Sequence, residues 1–321
     1  MKTAVLGAGA FGTALAVALA RGGAQVGLWA RDSVQANLMR ETRMNARRLP
    51  GATLPESVSV SAEIDEFAKA GTVLLAMPMQ ELASFVAAHM DHLRGRQLVA
   101  CAKGVDLQSG RGPLAILRAA LPGSHPAILT GPSFAADIAR GLPTALTLAC
   151  DDDAVGAALQ DRLSTPVLRL YRTTDTVGAE LGGALKNVVA IAAGVVIGAG
   201  LGDSARAALM TRGFAEMMRL ATALGAQAET LAGLSGFGDL VLTCTSDQSR
   251  NFRYGRAIGA GQAFDPAITV EGAATAKAVS VLAQKRNVDM PIAAMVAALV
   301  DRRIAVSEAV AALMSRPLKK E

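Results

Sequence analysis

At 321 residues the chain is long enough for two domains, and with 51% apolar against 18% charged residues it is too hydrophobic to be disordered. A net charge of +5 is only moderately basic, and no Lys/Arg run is longer than a pair such as Arg47–Arg48 or Lys319–Lys320. Two Tyr and one Trp give poor support to the interleaved stacking surface of a nucleic-acid binder, so no nucleic-acid partner is expected and that reading stands third and weak. Cys101, Cys150 and Cys244 stand far apart in no metal spacing and read as buried, reduced thiols of a cytosolic protein. No metal is expected either: His89 and His92, three apart, read as a solvated helix face.

The first elements form one βαβ unit. Thr3–Leu6 is an apolar run that suits a buried parallel strand, Thr13–Ala20 suits a helix stopped by Gly22-Gly23, and Gln25–Trp29 suits a second strand. Between strand and helix, Gly7, Gly9 and Gly12 have the spacing G-x-G-x-x-G. In that context Gly7 makes the tight turn, Gly9 lets backbone approach a pyrophosphate, and Gly12 lets the helix lie close on the sheet. The free N–H groups of the helix N-terminus complete a phosphate seat. Lys2 followed by apolar residues and Ala18-Leu19-Ala20 also has the outline of a secretory signal. Three glycines would weaken such a helix, and cleavage would strip Gln25–Trp29 of its partner strand. At the end of the second strand, Asp32 suits a ribose 2′-OH (NAD) and Arg31 a 2′-phosphate (NADP); the pair favours NADP with NAD tolerated.

Further on, a polar helix runs to the turn Leu49-Pro50-Gly51. Strands are expected at Val58–Val60, Thr72–Ala76, Gln97–Ala102, Ala127–Thr130, Thr144–Ala149 and Val167–Leu170. Helices are expected at Glu63–Ala70, Gln80–Leu93, Pro113–Ala120 and after Asp151-Asp152-Asp153. This alternation predicts an α/β fold, a Rossmann-type doubly wound, mostly parallel sheet. From Asp175 the pattern turns helical: Val177–Ala199, Ser204–Leu224, Asn251–Ile258, Glu271–Lys285, Pro291–Val300 and Ser307–Ser315, the last ended by Pro317. The expected organisation is a dinucleotide-binding domain over 1–172 and an all-α domain over 173–321. The uncharged apolar run Val188–Gly202 is short for a membrane span and reads as a buried helix.

Ligands of such sheets bind beyond the C-terminal strand ends, where Lys103 and Gly131-Pro132-Ser133 fall. Lys186 sits in ELGGALKN, on a nearly charge-free helix where a buried lysine needs a partner. Burial would lower its pKa and suit it to proton transfer. Asp239, in GLSGFGDLVLTC, is either a helix N-cap or the carboxylate partner of a buried lysine. Arg250 in Ser249-Arg250-Asn251 offers a planar fork for phosphate. Glu271 is a first-turn helix acid.

Taken in order, GAGAFGTALA, CAKG, GPSFA, ELGGALKN, GLSGFGDLVLTC, SRN and VEG resemble the bacterial NAD(P)-dependent glycerol-3-phosphate dehydrogenases, from about Met1 to about Lys285. The resemblance implies reduction of dihydroxyacetone phosphate to sn-glycerol 3-phosphate, a phospholipid precursor, by a cytoplasmic enzyme of the same two-domain fold. It implies Lys186 as general acid/base, with Lys103 and Asp239 around the reacting carbonyl and Asp239 keeping Lys186 charged. Substrate contacts fall to Gly131, Ser133, Asn187, Thr243, Ser249, Arg250 and Asn251. Cofactor contacts fall to Gly7, Gly9, Ala10, Phe11, Gly12, Arg31, Lys103, Ala135, Arg250 and Glu271. Many members carry Ser-Trp at Ala10-Phe11 and a tyrosine at Arg48. The apolar helical domain suits a homodimer. A Rossmann dehydrogenase of 3-hydroxy acids or ketopantoate and a non-catalytic NAD(P)H sensor are the rivals. SRN and GPSFA argue against the first, and a lone lysine in an apolar helix against the second.

Overall fold

A computed structural model describes residues 2–315; Pro317 and Lys319–Lys320 lie outside them. The backbone divides into two compact units, Met1–Glu180 and Leu181–Glu321.

In the first unit strands and helices alternate: β1 (Thr3–Leu6), α1 (Ala10–Arg21), β2 (Val26–Trp29), α2 (Ser33–Thr42), β3 (Val58–Ser61), β4 (Thr72–Leu75), α3 (Met79–Ala88), α4 (Met90–Leu93), β5 (Gln97–Ala100), α5 (Pro113–Ala120), β6 (Ala127–Thr130), α6 (Ala135–Arg140), β7 (Thr144–Ala149), α7 (Asp153–Leu163) and β8 (Leu168–Thr173). The sheet order is β3-β2-β1-β4-β5-β6-β7-β8. All neighbours run parallel except β6 and β7. The order reverses between β1 and β4, so the glycine turn after β1 lies at the switch point where doubly wound sheets bind ligands. β1, β2 and β4 are buried throughout, which is why their sequences are continuous apolar runs rather than alternating ones.

Two helices expected here take another form. Glu63–Ala70 is only a 3-10 turn, Ile64–Phe67. Its two large apolar residues stand three apart, enough for one turn's contact but not for an α-helical stripe. The Gln80–Leu93 helix breaks at His89, whose φ of −124° and ψ of 25° separate α3 from α4. His92 pairs with Asp65 at 2.6 Å.

The remaining elements are helical: α8 (Thr176–Gly198, which begins in the first unit), α9 (Gly202–Ala223), α10 (Ala228–Ala232), a π-turn (Leu234–Gly238), α11 (Asp239–Cys244), α12 (Arg250–Gly259), α13 (Glu271–Lys285), α14 (Pro291–Val300) and α15 (Val306–Met314). The glycine-rich GLSGFGDLVLTC stretch is helical nearly throughout. At 23 residues α8 is longer than the apolar run within it and could cross a bilayer by length and composition. Instead, 83% of its most apolar window is buried inside the protein. Leu185, Val189 and Ile191 of α8 form the second unit's core with Met217, Phe252, Val279 and Val296.

Candidate active site

The glycine turn separates into two tight positions and one open one. A Cβ on Gly7 would stand 2.5 Å from the Ala76 carbonyl oxygen, and φ there is +121°. A Cβ on Gly12 would stand 2.1 Å from the Gly7 carbonyl oxygen. Around Gly9, by contrast, nothing lies within 4 Å of a Cβ position. Gly9 is the N-cap of α1, and no side chain caps that helix, so its first-turn N–H groups are not taken by a side-chain cap. Such a cradle fits the pyrophosphate of a dinucleotide. Ala10 opens α1, and Phe11 packs on the neighbouring apolar clusters.

Arg31 and Asp32 follow β2 and differ in their commitments. Asp32 caps α2, accepting from the Val34 and Gln35 N–H groups at 2.9 and 3.3 Å. Arg31 is 76% exposed and pairs with Glu81 at 3.0 Å.

Lys103, beyond β5, and Ser133, beyond β6, converge on one atom. The Lys103 Nζ donates to the Gly131 carbonyl oxygen at 3.2 Å, and the Ser133 hydroxyl donates to the same oxygen at 3.2 Å. Gly131 has φ +127°. Ala135 opens α6, a six-residue helix too short for the sequence pattern to reveal.

In the second unit Lys186 is 7% exposed on α8. Its Nζ donates to Asp239 Oδ1 at 2.8 Å and to the Thr243 hydroxyl at 2.6 Å. Thr243 in turn donates to Asp239 Oδ1 at 3.3 Å. Asp239 and Thr243 stand four apart on α11 and so share a face. Asp239 opens that helix without capping it; of its two expected roles the structure takes the lysine partner. Burial pushes the adjoining Cys244 thiol up to about 12, so this sulfur is an apolar wall and not a nucleophile.

Asn187, the next residue, joins a second buried set. Asn251 Nδ2 donates to Asn187 Oδ1 at 2.9 Å, and Asn251 Oδ1 accepts from the Gly272 N–H at 2.9 Å. Ser249 is the N-cap of α12, its hydroxyl accepting from the Phe252 N–H at 3.1 Å. Arg250 is exposed in the first turn, and Glu271 opens α13. Gly272 is not singled out by the sequence, although a Cβ there would stand 2.6 Å from the Asn187 carbonyl oxygen. Its signals are the motif VEG and its place as the second residue of a helix.

The family model for the N-terminus of NAD-dependent glycerol-3-phosphate dehydrogenase matches residues 2–156, and the model for its C-terminus matches residues 175–311. The chain belongs to this family. The glycerol-3-phosphate dehydrogenase of Cereibacter sphaeroides, named for use of NAD(P)+, is 66% identical over 317 residues, 99% of each chain. That of a Ruegeria species is 61% identical over the full length of both. The crystal structure of the Coxiella burnetii glycerol-3-phosphate dehydrogenase superposes with a TM-score of 0.93 at 35% identity, covering 98% of this chain and 99% of that one. The chain is thus a member of an NAD(P)-dependent oxidoreductase family, with the Rossmann-type and helical architecture its sequence implies.

Proposed function

We propose that the protein reduces the ketone of dihydroxyacetone phosphate to the secondary alcohol of sn-glycerol 3-phosphate, with NADPH preferred and NADH accepted. The observation that carries this reading is the Lys186 ammonium, buried on an apolar helix and hydrogen-bonded to both Asp239 and Thr243. A purely structural lysine has no need of so costly a position.

When bound, the nicotinamide cofactor supplies the hydride that reaches the carbonyl carbon. Lys186 Nζ gives a proton to the carbonyl oxygen as it gains negative charge, and the resulting amine recovers a proton from solvent. Asp239 favours the ammonium form needed for that transfer. Thr243 fixes a second N–H of the ammonium, limiting the directions in which the rest can point. Gly7, Gly9, Ala10, Phe11 and Gly12 hold the cofactor's pyrophosphate side, with Ala135, Glu271 and Arg31 as further contacts. Lys103 adds positive charge for the substrate and cofactor, beside the loop of Gly131 and Ser133. Arg250 and Asn251, oriented by Ser249 and Asn187, hold the substrate phosphate. On this reading the product feeds glycerophospholipid synthesis in the cytoplasm, and the enzyme is a homodimer. Exposed apolar side chains such as Phe237 and Leu201 support the last point.

The test is a spectrophotometric assay of NADPH and NADH oxidation with dihydroxyacetone phosphate, run on the wild type and on Lys186→Ala. Phosphate-dependent oxidation that Lys186→Ala loses, with cofactor binding intact, is the expected result. Near-normal turnover by the variant removes the mechanism.

A further inference from the structure

Lys186 and Asp239 stand 53 residues apart in the chain, so something must bring their two helices to a defined separation. One turn before Lys186 on α8 is Gly182, at the four-residue spacing that puts both on one face. Gly182 is buried, and what it faces is backbone. A Cβ there would stand 2.6 Å from the Ser235 carbonyl oxygen, 2.9 Å from its carbon and 3.1 Å from Gly236 Cα. Backbone cannot rotate aside as a side chain can, so even a methyl group must push the whole segment away.

That segment is the π-turn Leu234–Gly238. Its register is set by wide-turn bonds: the Gly238 N–H donates to the Gly233 carbonyl at 3.0 Å, and the Asp239 N–H donates to the Leu234 carbonyl. Each residue added to a helical turn rotates the side chains beyond it by about 100°. The residue whose direction is so decided is Asp239. The Ser235 hydroxyl ties the turn to α10 by donating to the Thr230 carbonyl at 3.2 Å. Wide turns of this kind are rare and tend to occur at functional sites.

We propose that Gly182 is a positioning residue for catalysis: with no side chain there, the π-turn seats directly on α8, and that seat sets where the Asp239 carboxylate meets Lys186. The proposal rests on the reading of Lys186 as proton donor and Asp239 as its partner.

A double-mutant cycle tests it. Gly182→Ala lowers kcat about 30-fold, the scale expected when a reacting group is displaced by a fraction of an ångström to 1 Å, and leaves KM and cofactor affinity near wild type. In an Asp239→Asn background the same substitution lowers kcat by less than about threefold, because the interaction it disturbs is already altered. Gly213→Ala, on α9, is the control for crowding against another part of α8. The atoms nearest its Cβ belong to the Val189 side chain, the first at 2.6 Å, and a side chain can give way, so kcat stays near wild type.

Equal kcat losses from Gly182→Ala in both backgrounds, or kcat within twofold of wild type in the folded single variant, overturn the proposal. If Gly182→Ala does not fold, Ser235→Ala decides: loosening the turn lowers kcat about fivefold, and an unchanged kcat overturns the proposal. Failure of the underlying reading is separate, since Lys186→Ala or Asp239→Asn alone would then retain turnover.

Discussion

Glu216 on α9 closes the N-terminus of α14, its two carboxylate oxygens accepting the N–H groups of Ile292 at 2.8 Å and Ala293 at 3.2 Å. The carboxyl is buried, and desolvation pushes it up from 4.5 to about 7, against the two N–H groups that favour its charged form. The folded-state value lies above the unfolded one, so folding favours the protonated form. The stability contributed is therefore fully present below about pH 4.5 and is lost as pH rises through about 7. The difference is on the order of 1–3 kcal/mol. Urea unfolding at pH 5 and pH 8 should show it, and Glu216→Gln should reduce the difference. Glu180, pushed by burial to about 7 while accepting the Leu114 N–H, adds a contribution of the same sign that the variant leaves in place. Equal pH dependence in wild type and variant would assign the effect elsewhere.

The glycine turn yields a pair of substitutions with opposite signatures. Gly9→Ala has room for its Cβ and a φ of −73° that any residue adopts, so the variant should melt within about 2 °C of wild type. The added methyl would occupy the pyrophosphate's approach, and cofactor affinity should fall at least about tenfold. Gly12→Ala drives a Cβ against the Gly7 carbonyl and should cost about 1–3 kcal/mol of stability. Calorimetric titration with NADPH and thermal unfolding separate the two. Wild-type cofactor affinity in Gly9→Ala would mean the pyrophosphate does not sit there.

On the proposed reading, Arg31 should govern the ratio of cofactors and not their binding as such. Its guanidinium is exposed and, among the described residues, paired with Glu81, an exposed pair worth little in water and easily exchanged for a 2′-phosphate. Arg31→Ala should cut kcat/KM with NADPH about tenfold and change that with NADH less than about twofold. Asp32 must be read differently. Removing its cap on α2 costs about 1 kcal/mol of stability, so only the cofactor ratio, and not activity alone, reports a ribose contact there. Equal losses with both cofactors in Arg31→Ala would rule out 2′-phosphate recognition.

Much of this arrangement is legible before any coordinates. Thr3–Leu6, Ala127–Thr130 and Thr144–Ala149 have the boundaries that their apolar runs imply, because strands buried on both faces leave no polar alternation to blur the ends. Lys186 stands out because a lone lysine in a nearly charge-free helix has few structural explanations. What could not be read is what depends on distant pairing. For Asp239 the sequence leaves two roles open, a cap or the lysine's partner, and a contact across 53 residues decides between them. The π-turn before it is hidden in a glycine-rich stretch whose local preference is for loops, until packing overrides that preference. α6 and α10, of six and five residues, are too short to show a helical period.

Substrate discrimination offers the remaining prediction. Arg250 is exposed in the first turn of α12, whose start is fixed twice, by the Ser249 cap and by the Asn251 bridge to Asn187 and Gly272. The segment is thus rigid where it is anchored and free where the guanidinium projects, as a group that meets a mobile phosphate must be. Arg250→Ala should raise KM for dihydroxyacetone phosphate on the order of 100-fold, since a charge-assisted, bidentate contact is lost. It should leave the slow reduction of unphosphorylated dihydroxyacetone nearly unchanged, so the preference between the two collapses. Ser249→Ala costs about 1 kcal/mol of stability through the lost cap and shifts the same preference only in part. Undiminished preference for the phosphorylated ketone in Arg250→Ala would move phosphate recognition to another residue, while leaving the Lys186–Asp239 chemistry untouched.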